Sequence, residues 1–178
     1  PDSFDKARTH LVTVGRLSRE KGAEMALEAC KILRDEGRNI CWHWVGDGAD
    51  HAAIRMQIKA HGLSDCFLLE GNQINPYPYI RNGAIYVQPS HYEAYSTTVT
   101  EAKLLCRPIV ATDVGGMRDQ LTDGTNGRIV PVSAEAIAKA IGELLDNDEM
   151  CTSFCDTLKE NRYDAEQLLS HYRESVLA

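Results

Sequence analysis

Short runs of consecutive apolar residues alternate along this chain with longer stretches of helical periodicity. The runs predict six strands, at residues 10–14, 40–45, 66–69, 84–87, 109–111 and 128–130. The periodic stretches predict helices at 23–36, 50–61, 98–105, 117–121, 134–146, 148–161 and 165–176, with one short helical turn within 75–82. Apolar strands that alternate with helices of about 10–15 residues indicate βαβ units. We therefore expect an α/β fold, a Rossmann-like parallel sheet with helices on both faces.

The ends of the predicted strands concentrate the candidate chemistry. In open parallel sheets, ligands bind beyond the carboxyl ends of the strands. Glycine and polar residues follow these ends at Gly15-Arg16, Gly46-Asp47-Gly48, Gly71-Asn72, Ser90 to Glu93 and Asp113 to Gly116. We therefore expect these segments to meet along one rim of the sheet.

The stretch from Ser90 to Ala102 is the most informative of these segments. It carries Glu93 in a strand-to-helix loop, with Ser96 and Thr97 as candidate helix caps and Glu101 inside the helix. A helix N-terminus presents unpaired N–H groups and the positive end of the helix dipole, which favours anions. Together with two carboxylates, this arrangement suits a ligand that has both phosphate and hydroxyl groups, such as a phosphorylated sugar.

Glu93 and Glu101 also permit other interpretations. Paired carboxylates serve as acid and base in glycoside hydrolases, but eight positions across a loop and a helix do not by themselves make the two face each other. Glu101 could instead stabilise the helix dipole. Glu93 precedes the helix, so this explanation fits it less well.

Two cations, Arg16 and Lys21, flank the end of the first strand. A guanidinium and an ammonium together suit a diphosphate. The alternative is a solvated helix start, because Arg19 and Glu20 lie between them. Spacing alone leaves the two interpretations balanced.

The glycine turns and the strand histidines carry weaker signals. Gly46-Asp47-Gly48 lacks the further glycine of a dinucleotide-binding fingerprint, so we interpret it as a turn that lets the backbone approach a ligand. Gly115-Gly116 fits either a phosphate cradle or a tight turn. His10 and His43 fall on predicted strands and indicate no function.

Composition narrows the class of protein. The chain has 178 residues, a formal charge of −7 and 43% hydrophobic residues, which suits one globular domain and argues against nucleic-acid binding. No apolar run approaches the roughly 20 residues of a membrane helix, and no signal peptide opens the chain. The six cysteines show no metal-binding spacing and are interpreted as free buried thiols. We therefore expect a cytoplasmic protein without a transmembrane segment.

Four motifs in fixed order resemble those of the retaining GT-B glycosyltransferases of family four. They are Gly15-Arg-Leu-Ser-Arg-Glu-Lys-Gly22, Val45-Gly-Asp-Gly48, Glu93 and Glu101 separated by seven residues, and Thr112-Asp-Val-Gly-Gly-Met117. The match spans residues 10 to 131. The family commonly has Glu-Gly-Phe-Gly where this chain has Glu93-Ala-Tyr-Ser, so small residues replace both glycines.

The resemblance implies the C-terminal, donor-binding half of a GT-B enzyme. Residues 1–178 would form one nucleotide-sugar-binding domain, Rossmann-like over about 9–147 and followed by C-terminal helices. The N-terminal acceptor-binding domain would be absent, and the fragment alone would be inactive.

The resemblance also assigns roles to residues. Arg16, Lys21 and Glu93 would be the catalytic residues, with the two cations on the diphosphate and Glu93 on the hydroxyls of the donor sugar. The remaining donor contacts would be Gly15, Ala94, Tyr95, Ser96, Thr97 and Thr98. The nucleotide would be held by Asn72, Gln73 and Glu101, the last on the ribose. No cofactor and no metal are expected.

The implied function is transfer of a hexose from a UDP- or GDP-sugar to a saccharide or lipid-linked acceptor, in polysaccharide or lipopolysaccharide biosynthesis. The full-length enzyme would work in the cytoplasm or at the inner face of the membrane. Two alternatives remain open at this point: a sugar-nucleotide-binding module without a reaction, and a phosphorylase or epimerase built on the same fold.

Overall fold

The computed structural model describes residue 1 and residues 3–161. Its strands are β1 (Thr9–Val14), β2 (Ile40–Val45), β3 (Phe67–Gly71), β4 (Ile85–Gln88), β5 (Ile109–Thr112) and β6 (Arg128–Val130). They form one sheet in the order β3-β2-β1-β4-β5-β6, and each neighbouring pair is parallel. The predicted parallel sheet is confirmed, with differences only at the strand ends.

The helices are α1 (Ala23–Asp35), α2 (His51–Ala60), α3 (Tyr77–Asn82), α4 (Thr97–Leu104), α5 (Met117–Gln120) and α6 (Ala134–Leu145), followed by α7 over 148–161. A short 3₁₀ turn, Arg19–Lys21, precedes α1. Each corresponds to a predicted helix or turn, except that the 3₁₀ turn was not predicted. The helix predicted at 165–176 lies outside the described residues.

Helices cover both faces of the sheet, as predicted. On one face Trp42, Trp44 and Val110 pack with α1, α2 and α6. On the other face a second core joins Tyr86 and Ile109 to α3, α4 and α5. Because side chains of a strand point alternately to the two faces, covering both faces makes the strands continuous apolar runs.

All six residues of β2 are buried, and this explains its unusual sequence. Trp42 and Trp44 point into one core, which confirms their interpretation as packing residues. Each indole N–H still has a partner, the Thr13 hydroxyl at 3.1 Å and the Gly15 carbonyl at 3.0 Å respectively. His43, between the two tryptophans in sequence, points to the opposite face and is fully buried.

The strand order creates a topological switch point between β1 and β4. From β1 the chain continues to β2 on one side, and from β4 it continues to β5 on the other. The connections therefore diverge and leave a crevice at the carboxyl ends of the two strands, where sheets of this order bind ligands.

Two further expectations concern the whole described region. The cysteines within it are free thiols, four of them buried, as interpreted from the sequence. Among the described residues, no helix is long and apolar enough to cross a membrane.

Candidate functional site

Lys21 and Glu93 meet across the crevice between β1 and β4. Lys21 Nζ donates to Glu93 Oε2 at 2.5 Å, and the side chains are only 20% and 11% exposed. Lys21 follows β1 and Glu93 follows β4, so the two halves of the sheet each contribute one charge. Two of the residues predicted to be catalytic therefore lie side by side.

Arg16 lies apart from this pair. Its guanidinium binds Glu20 one helical turn further along the chain, and its side chain is 74% exposed. Arg16 and Lys21 thus each pair with a different carboxylate. Arg16 also lines a cleft at the carboxyl ends of β1, β2 and β3.

The N-terminus of α4 opens beside the Lys21–Glu93 pair. Ser96 is the cap, and its hydroxyl accepts from the Val99 N–H at 3.2 Å. The proposal of Thr97 as a cap is wrong, because Thr97 is already the first helical residue. Only Ser96 has the extended backbone that turns a side-chain oxygen back onto the first turn.

A buried glutamine from α5 fixes the position of this cap. Gln120 accepts from the Ser96 N–H and donates to the Ser96 carbonyl, both at 2.8 Å. The side-chain amide of Gln120 therefore satisfies both backbone groups of Ser96, as a residue on a neighbouring β-strand would. Nothing in the sequence pattern singled out Gln120, which falls in an ordinary short helix.

A second buried glutamine, Gln88 at the end of β4, supports the hydroxyl groups of the helix start. Its Oε1 accepts from Tyr86 at 2.8 Å and from Thr98 at 3.2 Å, and its Nε2 donates to Ser90 at 2.9 Å. Burial raises the pKa of Tyr86, so its hydroxyl stays protonated and able to donate. An isolated polar residue at a strand end was the only signal in the sequence.

Gln88→Leu is expected to lower the free energy of unfolding by about 1–3 kcal/mol, because it leaves buried hydroxyl groups without an acceptor. Urea unfolding followed by tryptophan fluorescence measures the change. The control is Gln57→Leu on the exposed side of α2, for which a change within about 0.5 kcal/mol is expected. Equal effects of the two substitutions would contradict the supporting role of Gln88.

Glu101 is unusual among the carboxylates of the site. Its Oε2 is buried and has no hydrogen-bond partner among the described residues. Leaving a buried carboxylate oxygen unpaired is costly unless something else supplies the donor. A ligand hydroxyl is the kind of group that satisfies it, which agrees with the predicted ribose contact.

A cleft of about 230 Å³ lies at the carboxyl ends of the first three strands. Gly15 and Arg16 line one side of it, and Asn72 and Gln73 line the other. Asn72 and Gln73, which were predicted to contact the nucleotide base, therefore line the same cleft as Gly15 and Arg16, which were predicted to contact the phosphates. Two larger clefts are lined mainly by helix residues, and another, of about 440 Å³, lies between α2 and β3.

The glycines at the carboxyl ends of β2 and β5 allow neighbouring loops to pack closely against each other. A Cβ on Gly115 or Gly116 would lie 2.0 or 1.9 Å from the carbonyl oxygens of Glu93 and Ala94. Gly46 and Gly48 likewise pack against the backbone of the segment after β1. The close approach of Gly115 and Gly116 to these carbonyl groups holds the loop of Glu93 in place.

The loop of Glu93 exposes its aromatic residues. Tyr95 is 61% exposed and Tyr92 is 67% exposed, whereas Glu93 between them is buried. The backbone carbonyl of Glu93 accepts from the Gly116 N–H at 3.1 Å. The loop therefore turns its carboxylate inward to the crevice and leaves Ala94 and Tyr95 on the rim, as predicted for residues that contact a ligand.

The site thus combines one half-buried ammonium, two inward carboxylates and the start of a helix. It offers positive charge for an anion and acceptors for hydroxyl groups within one crevice. Thr97 and Thr98 lie at the helix start, where the N–H groups of the first turn point outward. The sequence analysis assigned this combination of groups to a ligand with phosphate and hydroxyl groups, and that assignment stays a prediction.

Comparison with known proteins identifies the family. The family model described as "Glycosyl transferases group 1" matches residues 2–161. The chain therefore belongs to this family, and its Rossmann-like sheet is the C-terminal domain of the GT-B fold.

Individual proteins agree with this assignment. The chain is 34% identical over 146 residues to alpha-D-kanosaminyltransferase of Streptomyces kanamyceticus; the match covers 80% of this chain and 38% of that enzyme. It resembles HepE of Anabaena, solved in complex with UDP, with a TM-score of 0.82 and 18% identity over 95% of this chain and 48% of HepE. It also resembles the C-terminal domain of the group 1 protein LpcC of Francisella tularensis, with a TM-score of 0.76 and 22% identity over 87% and 86% of the two chains.

Proposed function

We propose that this chain is the donor-binding domain of a retaining glycosyltransferase and that it binds a nucleotide-sugar, with UDP as the preferred nucleotide. The observation that supports it most is the meeting of Lys21, Glu93 and the start of α4 at the switch point between β1 and β4. The preference for UDP draws on the UDP complex of HepE. The relatives named as transferases favour a transferase over a phosphorylase, an epimerase or a binding module without a reaction.

In this proposal, different residues contact the ribose, the base, the diphosphate and the sugar of the donor. The unpaired Glu101 carboxylate accepts from the ribose, and the cleft bounded by Asn72 and Gln73 takes the base. The diphosphate lies at the α4 N-terminus, beside Lys21. Glu93 accepts hydrogen bonds from the sugar hydroxyls.

The proposed chemistry is electrostatic. When the bond between the sugar and the diphosphate breaks, negative charge develops on the leaving phosphate. Lys21, Arg16 and the N–H groups of α4 stabilise that charge, so no nucleophile from the protein is needed. The acceptor hydroxyl forms the new bond to the sugar carbon that the diphosphate leaves, and its proton passes to the departing phosphate oxygen. In our proposal these groups do the work that a bound metal ion does in other transferases, so no metal is required. The transferred sugar is a hexose, and the acceptor is a saccharide or a lipid-linked glycan.

The proposal is tested by titrating the chain with UDP, GDP and ADP in an isothermal calorimeter. Saturable binding of UDP is expected, with weaker binding of the other two, because all the proposed nucleotide contacts lie within this chain. Adding EDTA should leave the UDP affinity unchanged. No binding of any nucleotide at millimolar concentration would overturn the donor-site proposal.

Glu101→Gln tests the ribose contact. The amide keeps the shape of the side chain and removes the charge, so UDP affinity is expected to fall by about tenfold, the value of one charge-assisted hydrogen bond. 2′,3′-Dideoxy-UDP should lose a similar factor with the unsubstituted chain and little more with the variant. If Glu101→Gln bound UDP as well as the unsubstituted chain, the ribose role would be wrong.

A further inference from the structure

A hydrogen-bonded row of three side chains, His10, His43 and Glu70, lies on the face of the sheet covered by α3. The two histidines are buried, and the Glu70 side chain is 14% exposed. His10 Nδ1 and His43 Nε2 are 2.8 Å apart, and His43 Nδ1 lies 2.7 Å from Glu70 Oε1. At the other end, His10 Nε2 lies 2.6 Å from the Asp5 carbonyl oxygen. His10 is 6% exposed and His43 is fully buried. The sequence pattern indicated no role for either histidine, because both fall within predicted strands.

The hydrogen bonds that link His10, His43 and Glu70 require more protons than these side chains carry in their usual states at neutral pH. The Asp5 carbonyl only accepts, so His10 Nε2 must carry a hydrogen. An ionised Glu70 also only accepts, so His43 Nδ1 would carry a hydrogen as well. Two neutral imidazoles would then point their remaining lone pairs at each other across 2.8 Å, which is repulsive. Three contacts therefore need three protons, one more than two neutral imidazoles and a carboxylate contain.

We propose that His10, His43 and Glu70 hold three protons in the folded chain, with zero net charge, at pH values where the unfolded chain holds only two. The third proton lies either on the Glu70 carboxyl or on an imidazole, and the hydrogen bonds link the three groups into one unit. Zero net charge suits a site enclosed by protein, where an isolated charge is costly.

The surroundings agree with a neutral unit. Burial lowers the pKa of His43, and the hydrogen bond with Glu70 opposes this shift. Phe4 stacks on both imidazole rings, with centroid distances of 4.4 and 4.2 Å. Within residues 3–161, the polar or charged groups near the unit include the Tyr79 hydroxyl, which donates to Glu70 Oε2 at 3.2 Å, the Cys41 thiol, and the Arg8–Asp5 ion pair.

A metal ion fits this geometry less well than a proton. Two imidazole nitrogens on one tetrahedral zinc ion stand about 3.3 Å apart, given the usual Zn–N distances. The observed 2.8 Å between His10 Nδ1 and His43 Nε2 is instead the length of an N–H···N hydrogen bond. Burial also raises the pKa of the nearby Cys41 thiol to about 11, which disfavours a thiolate.

The proposal has a defined consequence for stability. In the unfolded chain each histidine loses its second proton near pH 6.5 and the glutamate is ionised above about pH 4.3. Above pH 6.5 the folded chain therefore binds one more proton than the unfolded chain. Stability then falls as the pH rises, until the folded unit releases its third proton. The unfolding constant should increase by up to about tenfold per pH unit in that window.

Glu70→Gln provides the matched test. The amide N–H donates to His43 Nδ1 at every pH, and the amide oxygen still accepts from Tyr79, so this variant copies the protonated unit without titrating. Above pH 6.5 its unfolding constant should lack the increase attributed to the unit. Glu24→Gln is the control, because Glu24 also contacts a histidine, His91, but both are 42% exposed. It should follow the unsubstituted chain.

Nuclear magnetic resonance tests the proton directly in the full chain, so the proposal does not depend on a variant that folds. A scalar coupling between His10 Nδ1 and His43 Nε2 at pH 7.5 would show the hydrogen bond and support the proposal. Two unprotonated inner nitrogens without coupling would overturn it. Stoichiometric zinc in the purified chain, with both nitrogen resonances displaced, would overturn it in favour of a metal. Equal pH dependence of Glu70→Gln and the unsubstituted chain would also overturn it.

Discussion

Gly22→Ala is expected to lower the free energy of unfolding by about 2–5 kcal/mol, the sum of a left-handed backbone penalty and an overpacking penalty. Gly22 has φ +69°, and a Cβ there would lie 1.8 Å from the Pro89 carbonyl oxygen. Because Gly22 follows Lys21 and Pro89 follows β4, the clash forces apart the two sides of the crevice. UDP affinity should fall together with stability. Urea unfolding and calorimetry on the same preparation measure both.

Gly37→Ala is the matched control for this substitution. Gly37 has φ +81° and no atom within 4 Å of its Cβ position. It therefore carries the backbone penalty alone, about 1–2 kcal/mol, and should leave UDP affinity unchanged. Equal losses at Gly22 and Gly37 would show that the approach to Pro89 is unimportant.

Lys21→Met is expected to affect both stability and donor binding. It leaves the Glu93 carboxylate, 11% exposed, without its ion-pair partner, which costs up to about 3 kcal/mol of stability. It also removes the half-buried cation from the proposed phosphate position. UDP affinity should therefore fall by at least about tenfold, the value of a hydrogen bond to a charged group.

A double variant separates these two effects. Lys21→Met with Glu93→Gln removes both charges, so much of the lost stability should return, while UDP affinity should stay low. Lys31→Met is the control, since Lys31 forms an exposed ion pair with Asp35 on α1 and exposed pairs contribute little. If the double variant bound UDP as tightly as the unsubstituted chain, Lys21 would have no role on the diphosphate.

The sequence predicted the strands of the sheet because strands that are buried on both faces consist mainly of consecutive apolar residues. Ile40–Val45 and Ile109–Thr112 are fully buried, so they appear as mainly apolar runs in which His43 and Thr112 are the polar residues. Glycines and short polar segments mark their ends. The order of the strands across the sheet has no such local trace, since β1 pairs with β4 through residues far apart in sequence.

The resemblance supplied roles for the site residues, but the sequence did not foresee contacts that arise only in three dimensions. Lys21 and Glu93 were both named, but their ion pair was not, because spacing cannot show which side chains meet. Gln88 and Gln120 were missed entirely. Each acts through hydrogen bonds to backbone or hydroxyl groups, and such bonds leave no pattern of residue types along the chain. The assigned ligand roles themselves stay predictions.

The proton-sharing histidines show the same limit in another form. His10 and His43 look like ordinary strand residues, and their pairing depends on the register of β1 against β2. Glu70 joins them from a third strand. The three side chains come within hydrogen-bond distance of one another only in the assembled sheet.

The ion pair between Lys21 and Glu93 joins residues that are 72 positions apart. It forms only after β4 has docked beside β1, with α1, β2, α2, β3 and α3 lying between them in sequence. Contacts of such separation are generally made late in folding, because the intervening chain must first be closed into a loop. Interactions absent from the transition state act on the unfolding rate. A bound donor should therefore slow unfolding of this domain and leave its folding rate almost unchanged.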